Sequence, residues 1–419
     1  MAQALRTQSQ NTKLNHTNSK HNIPATNTIA AIIHKDIEKS FFVYRPHTLI
    51  KAAWFFRQYF NGTCLFAVKT NPEPIVLKQL YNTGIRSFDV ASIEEIALVR
   101  QLFDDATLYF MHPVKPRHAI RRAYFEFGVR NFSLDSEYEL GKIMQETDNA
   151  KDLNLHVRLS IPNTYAELNL SEKFGTNLQE APELIKKVAS KAAKIGVCFH
   201  AGSQCMHPDA YRIAMRMAAE VVEQSGVQPH YFNVGGGFPS IYPGMIPPDM
   251  EDYFKAIHDE FSKIKGHEAM QLLAEPGRAL VAECMSLIVR VDLRKGNMLY
   301  INDGTYGSLF DAGTPRFIYP AKLICDEHIY STDLASFSLY GPTCDSLDYM
   351  KGPFYLPSDT SEGDFIEIGQ MGAYGRTMAT RFNGFHPDDG LLQVCDEPLM
   401  TMYREDEEIS NETFEVIAA

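Results

Sequence analysis

Phe66-Ala67-Val68-Lys69-Thr70-Asn71-Pro72 is a short apolar run that ends abruptly in a lysine, a threonine and an Asn-Pro turn. Its apolar part, residues 64–68, has the length and content of a buried strand, and Asn71-Pro72 opens a stretch of helical periodicity reaching residue 81. The same unit recurs down the chain. Further β-type runs lie at 86–90, 107–111, 131–134, 153–160, 195–200, 231–234 and 271–274, separated by helical patterns such as 93–102, 136–144, 181–193, 210–222 and 250–264. Ser92, Asp135-Ser136, and Asp249 after Pro247-Pro248 supply helix starts. Eight β-α units over about 210 residues is the arithmetic of a TIM barrel. A doubly wound open sheet is the alternative, but it gives no reason for eight units.

Beyond Gly277 the texture changes. Runs at 287–291, 298–301, 317–323, 336–340, 365–368 and 391–394 are separated by Gly, Pro, Asp and Ser turns, which predicts an all-β domain. Phe41-Phe42-Val43-Tyr44 is a strand the barrel does not need, and it is expected to join that domain. The expected division is therefore α/β: a tail at 1–28, a joining strand at 29–46, a TIM barrel at 47–283 and a β domain at 284–419. The tail is rich in Asn, Gln, Thr, Ser and His, has no apolar core of a secretory signal, and is expected to be disordered.

The 419 residues are 45% hydrophobic and 22% charged, with 40 Lys and Arg against 52 Asp and Glu for a net charge of −12. That balance argues against nucleic acid or an anionic membrane as the main partner. The seven cysteines show no C-x-x-C pair and read as reduced thiols of a cytoplasmic protein. The longest apolar stretch, near 279–292, contains Glu283 and Arg290 and falls short of the ~20 apolar residues that span a bilayer. Neither H-x-x-x-H nor H-E-x-x-H occurs, so a metal is not indicated.

A TIM barrel carries its active site at the C-terminal ends of its strands. Polar residues recur at that end here: Lys69, then Asp89 and Glu95, then His112, Arg158, His200 with Ser203, Gly235 with Gly236 and Gly237, and Glu275 with Gly277 and Arg278. A lysine ending a buried strand is costly unless it loses its charge or gains a partner, as a lysine bound covalently to a carbonyl cofactor does; a lysine reaching from the rim is the plain alternative. The glycine triplet offers backbone amides to a phosphate, and Arg278 one strand later offers a countercharge. Glu275 could hold a pyridine nitrogen protonated or simply cap a turn, and His200 could equally be a core histidine. In the β domain, Cys344 lies in Gly341-Pro342-Thr343-Cys344-Asp345-Ser346-Leu347-Asp348, a loop-like setting for either an accessible proton donor or a structural thiol.

These motifs, F-A-V-K-T-N (66–71), F-D-V-A-S-I-E-E (88–95), H-A-G-S-Q-C (200–205), V-G-G-G-F-P (234–239), A-E-P-G-R (274–278), N-D-G-T-Y-G-S (302–308), G-P-T-C-D-S-L-D (341–348) and M-G-A-Y (371–374), run in order over residues 40–385. The chain resembles the group IV ornithine/lysine/diaminopimelate decarboxylases, which depend on pyridoxal 5'-phosphate and share the alanine racemase-like fold (fold type III). The resemblance implies that Lys69 carries the cofactor, His200 stacks on its ring and Glu275 pairs with its nitrogen. It implies that Ser203, Gly235, Gly236, Gly237, Gly277, Arg278 and Tyr374 hold the phosphate end, with Asp89, Glu95 and Arg158 around Lys69. It further implies a homodimer in which Cys344 and Asp345 enter the partner's barrel, Cys344 to protonate the α-carbon and Asp345 to meet the distal ammonium.

One departure concerns the substrate. Eukaryotic ornithine enzymes carry a Tyr-Asp pair soon after N-D-G-x-Y-G; here Thr314 and Pro315 stand at those positions, and Asp311 is the candidate substitute from another register. Ornithine, converted to putrescine for polyamine synthesis, is the expected substrate. Lysine or both come next, then diaminopimelate or carboxynorspermidine, and a non-catalytic regulator of the antizyme-inhibitor kind is the rival outside enzymology.

Overall fold

The computed structural model describes residues 38–162, 165–168, 173–324, 329–403 and 416–417. The expected tail at 1–28 lies outside the described residues. Strand β1 (Phe41–Tyr44) is followed by helix α1 (Pro46–Tyr59), which has a proline in its first turn, where a missing N–H costs nothing. Then come β2 (Thr63–Ala67), β3 (Ser87–Val90), β4 (Thr107–Phe110), β5 (Asn131–Leu134), β6 (Asn154–Arg158), the short β7 (Ala166–Leu168), β8 (Lys194–Cys198), the short β9 (Ser203–Cys205), β10 (Tyr231–Asn233) and β11 (Gln271–Ala274). Eight of them, β2, β3, β4, β5, β6, β8, β10 and β11, close into an all-parallel barrel. The remaining pair, β7 and β9, form an antiparallel ribbon over the C-terminal rim, which the periodicity did not foretell.

Residues alternate between the two faces of each strand. Leu65, Tyr109, Met111, Cys198, Tyr231 and Leu273 make the barrel's interior cluster. Phe66, Phe88, Phe110, Phe132 and Phe232 belong to the larger core that includes the helices. His156 also lies in the interior, fully buried against Tyr109 and Tyr231, with no hydrogen-bond partner for either ring nitrogen. Two barrel helices start on serine caps: Ser92 accepts from the Glu95 N–H at 3.2 Å, and Ser136 from the Glu139 N–H at 3.3 Å.

The β domain comprises β12 (Met285–Lys295), β13 (Met298–Ile301), β14 (Ala321–Leu323), β15 (Leu334–Tyr340), β16 (Tyr349–Pro357), β17 (Phe365–Ile368) and β18 (Leu391–Gln393). Strand β1 pairs antiparallel with β12, Tyr44 opposite Met285, and parallel with β18. Just past β1 the fully buried Arg45 donates to Ser286 Oγ at 2.7 Å and to Glu367 Oε1 at 2.6 Å, fastening the segment into the sheet. Strand β16 escaped the sequence reading because Gly352-Pro353 in its middle looks like a turn. Among the described residues no helix is long and apolar enough to cross a membrane.

Candidate active site

Lys69 does not extend β2. It sits in a single 3-10 turn, Val68–Thr70, immediately beyond the strand, so its side chain leaves the ladder and enters the mouth of the barrel. A single cavity there is lined by Lys69, Thr70, Asp89, His200, Ser203, Gln204, Gly236, Gly237, Glu275, Gly277, Arg278 and Tyr374, together with Ala67 and Phe238. Burial works against the Lys69 ammonium, but Tyr374, Asp89 and Glu275 beside it outweigh that cost and raise its pKa.

Glu275 follows β11 and is held by Asn233 at the end of β10, whose amide donates to Oε1 at 2.7 Å. Burial, and then the neighbouring Asp89, push its carboxyl up to about 8, against the hydrogen bond from Asn233 and the pull of Arg158 and Lys69. Burial also raises Asp89, against the pull of Lys69 and Arg158. His200 is driven far below the usual histidine range by burial, then by Arg158 and Lys69, so its ring is neutral. The Gly202 N–H donates to its Nδ1 at 3.0 Å, which leaves the ring proton on Nε2.

At the other end of the cavity Arg278 is nearly fully buried and held on two sides. One terminal nitrogen donates to Tyr242 Oη at 2.7 Å, the other to Asp311 Oδ2 at 3.0 Å, and the Tyr374 ring lies 5.0 Å from the guanidinium carbon. Arg278 Nε and Thr70 Oγ1 are buried without a hydrogen-bond partner. Gly277 has no room for a side chain, since a Cβ would lie 2.2 Å from Thr70 Oγ1. Tyr374 keeps a left-handed φ of 64°, unusual for a non-glycine residue, with its N–H donated to the Thr70 carbonyl at 3.0 Å. Two orphaned donors beside a glycine-walled space are the fittings for an anionic group such as a phosphate ester.

The remaining candidates stand at graded distances from this cavity. Gly235 is behind the wall, its N–H spent on Asn233 Oδ1 at 2.8 Å, so Gly236 and Gly237 alone of the triplet face the space. Glu95 accepts from the Ala91 N–H at 2.7 Å, and burial raises it to about 7. Arg158 is outside the lining, close enough to bias Asp89, Glu275 and His200. His112 stays at the rim, its Nδ1 accepting from the Val114 N–H. Asp311 lies beneath Arg278, occupied by that ion pair. Cys344 is exposed on a β-domain loop, and neither it nor Asp345 belongs to the lining. Thr70, Gln204 and Tyr242 join the site without having been singled out in the sequence; Thr70 and Gln204 were signalled only by adjacency to Lys69 and Ser203, and Tyr242 by nothing local.

The pyridoxal-binding-domain model of the pyridoxal-dependent decarboxylases matches residues 48–282. The chain belongs to that family. An ornithine decarboxylase of Panagrellus redivivus is 32% identical, the match covering 76% of this chain and 77% of that protein. Antizyme inhibitor 2 of Xenopus laevis is 31% identical over 76% of this chain and 73% of that one. The crystal structure of a Vibrio vulnificus lysine/ornithine decarboxylase complexed with cadaverine superposes with a TM-score of 0.71 at 29% identity, covering 86% of this chain and 94% of that one. The family's cofactor is pyridoxal phosphate, and the barrel with its β domain is the alanine racemase-like fold of these enzymes. Lysine, buried acid, neutral histidine and phosphate-ready end occur here in one cavity, so the residues fit that cofactor.

Proposed function

We propose that this pyridoxal-phosphate-dependent decarboxylase acts on L-ornithine, releasing putrescine and carbon dioxide in the cytoplasm, with lysine as its second substrate. The observation that carries the reading is the single cavity in which Lys69, Glu275, His200 and the Arg278 end converge. Bound there, pyridoxal phosphate supplies the electron sink that decarboxylation needs. Lys69, whose side chain lines that cavity, would hold the cofactor's aldehyde end. Glu275 would meet the ring nitrogen, and the neutral His200 would lie against the ring without adding a competing positive charge. Arg278 Nε, Thr70, Ser203 and the amides of Gly236 and Gly237 would hold the phosphate.

Cys344 delivers the proton to the α-carbon, and Asp345 binds the distal ammonium, from the partner subunit of a homodimer. What supports this is their place on an exposed loop that also presents Leu347, bonded at Cys344 N–H to Asn383 beside the exposed Phe382. Apolar side chains around a polar catalytic pair make a surface suited to covering by a second copy. The non-catalytic reading is less well supported, because Lys69 and Cys344 are both present. The deciding measurement is carbon dioxide release from ornithine, lysine, arginine and diaminopimelate in parallel. Ornithine is expected to give the highest kcat/KM, and no release from any of the four would overturn the proposal.

A further inference from the structure

We infer that Asp348 is the positioning residue of the Cys344 loop, a role that rests on the reading of Cys344 as proton donor. Asp348 is buried, although it ends a motif whose other members Cys344, Asp345 and Leu347 are exposed or half-exposed. One of its oxygens accepts from the Thr305 N–H at 2.7 Å and from the Thr305 hydroxyl at 3.1 Å. The other accepts from the Thr343 hydroxyl at 2.7 Å and from the Thr343 N–H at 3.1 Å. The carboxylate thus joins the residue just before Cys344 to the N-D-G-T-Y-G-S segment, two stretches about forty residues apart.

Two glycines make room for it. A Cβ on Gly304 or on Gly341 would stand 2.1 Å from the same Asp348 oxygen, so both motifs spend a glycine on letting this carboxylate in. The backbone closes the turn as well: Gly341 N–H donates to the Asp348 carbonyl at 2.9 Å and Asp348 N–H to the Asp345 carbonyl at 3.0 Å. Within that frame Asp345 is oriented by the Tyr306 hydroxyl at 2.8 Å and the Leu347 N–H at 2.9 Å. A carboxylate taking two amides and two hydroxyls is a strong, charge-assisted anchor. It leaves the Cys344 backbone little freedom, and a proton donor must be held to a fraction of an ångström to reach one carbon atom and not its neighbour.

The test is Asp348→Asn in the full-length holoenzyme, measured beside Cys344→Ala and the double variant. An asparagine keeps the shape but turns an NH2 toward donors that need an acceptor. Expected is a kcat at least tenfold lower, with KM and cofactor affinity within twofold of wild type. Part of the product should appear as aldehyde, formed with water when the proton misses the α-carbon and the amino nitrogen stays on the cofactor. The double variant should be no worse than Cys344→Ala. Thr343→Val, which removes one hydroxyl from the same carboxylate, should give a milder form of the same signature and covers the case in which Asp348→Asn does not fold. Normal kcat and clean amine for Asp348→Asn beside an impaired Cys344→Ala would overturn the role of Asp348 alone. An unimpaired Cys344→Ala would instead remove the proton-donor reading beneath it. A slow Asp348→Asn with clean amine and lost cofactor would mark a merely structural residue and also overturn the proposal.

Discussion

Asp311→Ala is expected to destabilise the cofactor-free protein far more than the loaded one. The Arg278–Asp311 pair is 3.0 Å apart with side chains only 4% and 8% exposed, so removing the carboxylate strands a buried guanidinium. Unit charges about 4 Å apart interact by ~4 kcal/mol at an effective dielectric near 20. Truncating one partner of a buried pair costs about 3–5 kcal/mol by experience. At about 2 °C per kcal/mol for a large domain, the apparent unfolding midpoint of the cofactor-free variant should drop by roughly 6–10 °C. A cofactor phosphate placed against Arg278 Nε restores a countercharge, so the loaded variant should lose no more than about half as much. Differential scanning calorimetry on the two forms measures both drops. Equal losses with and without cofactor would refute the counter-ion argument. So would a loss below ~1 kcal/mol combined with a raised KM for ornithine, which would return Asp311 to the role of substrate reader.

Three further outcomes are expected. Burial lowers His156 to about 3. Its folded pKa lies below the unfolded value, so the stability it contributes is complete above pH ~6.5 and is lost as the pH falls toward 3, about 5 kcal/mol in all. His156→Leu should flatten the acid limb of a stability–pH curve, and a limb parallel to wild type would count against this. Gly277→Ala should weaken cofactor binding at least tenfold by fluorescence titration, because the new Cβ collides with Thr70 Oγ1; unchanged affinity would place the phosphate elsewhere. Mixing inactive Lys69→Ala subunits with slow Cys344→Ala subunits should raise activity to about a quarter of wild type if each site is shared across a two-fold interface. No recovery would argue for sites complete within one subunit.

The barrel was legible because each strand is an apolar run with its polar groups gathered at one end. That regularity puts Lys69, Glu275 and Arg278 at a common rim on the sequence alone. The partners of Arg278 were not legible. Tyr242 and Asp311 reach it from positions 36 and 33 residues away, one in a loop and one in the β domain, and no local period links them. Asp311 stood out in the sequence as a carboxylate, but nothing there shows that a guanidinium already claims it. The triplet at Gly235 looked uniform, yet the Asn233 side chain takes the first amide and so divides it. Asp348 could be read only as the end of a motif, because its four donors come from two separated turns.

The pairing of Tyr44 with Met285 has a consequence for how the chain is made. Topologically the whole cofactor-binding barrel is an insert, hung between two neighbouring strands of one sheet. At a synthesis rate of about 5–20 residues per second, roughly 240 residues must emerge in roughly 12 to 48 s before β12 exists to receive β1. Throughout that interval Phe41, Phe42, Val43 and Tyr44, all buried in the finished protein, have no β12 to pair with. The barrel can complete its own ring of hydrogen bonds in that time; the β domain cannot begin until the ribosome has passed beyond it.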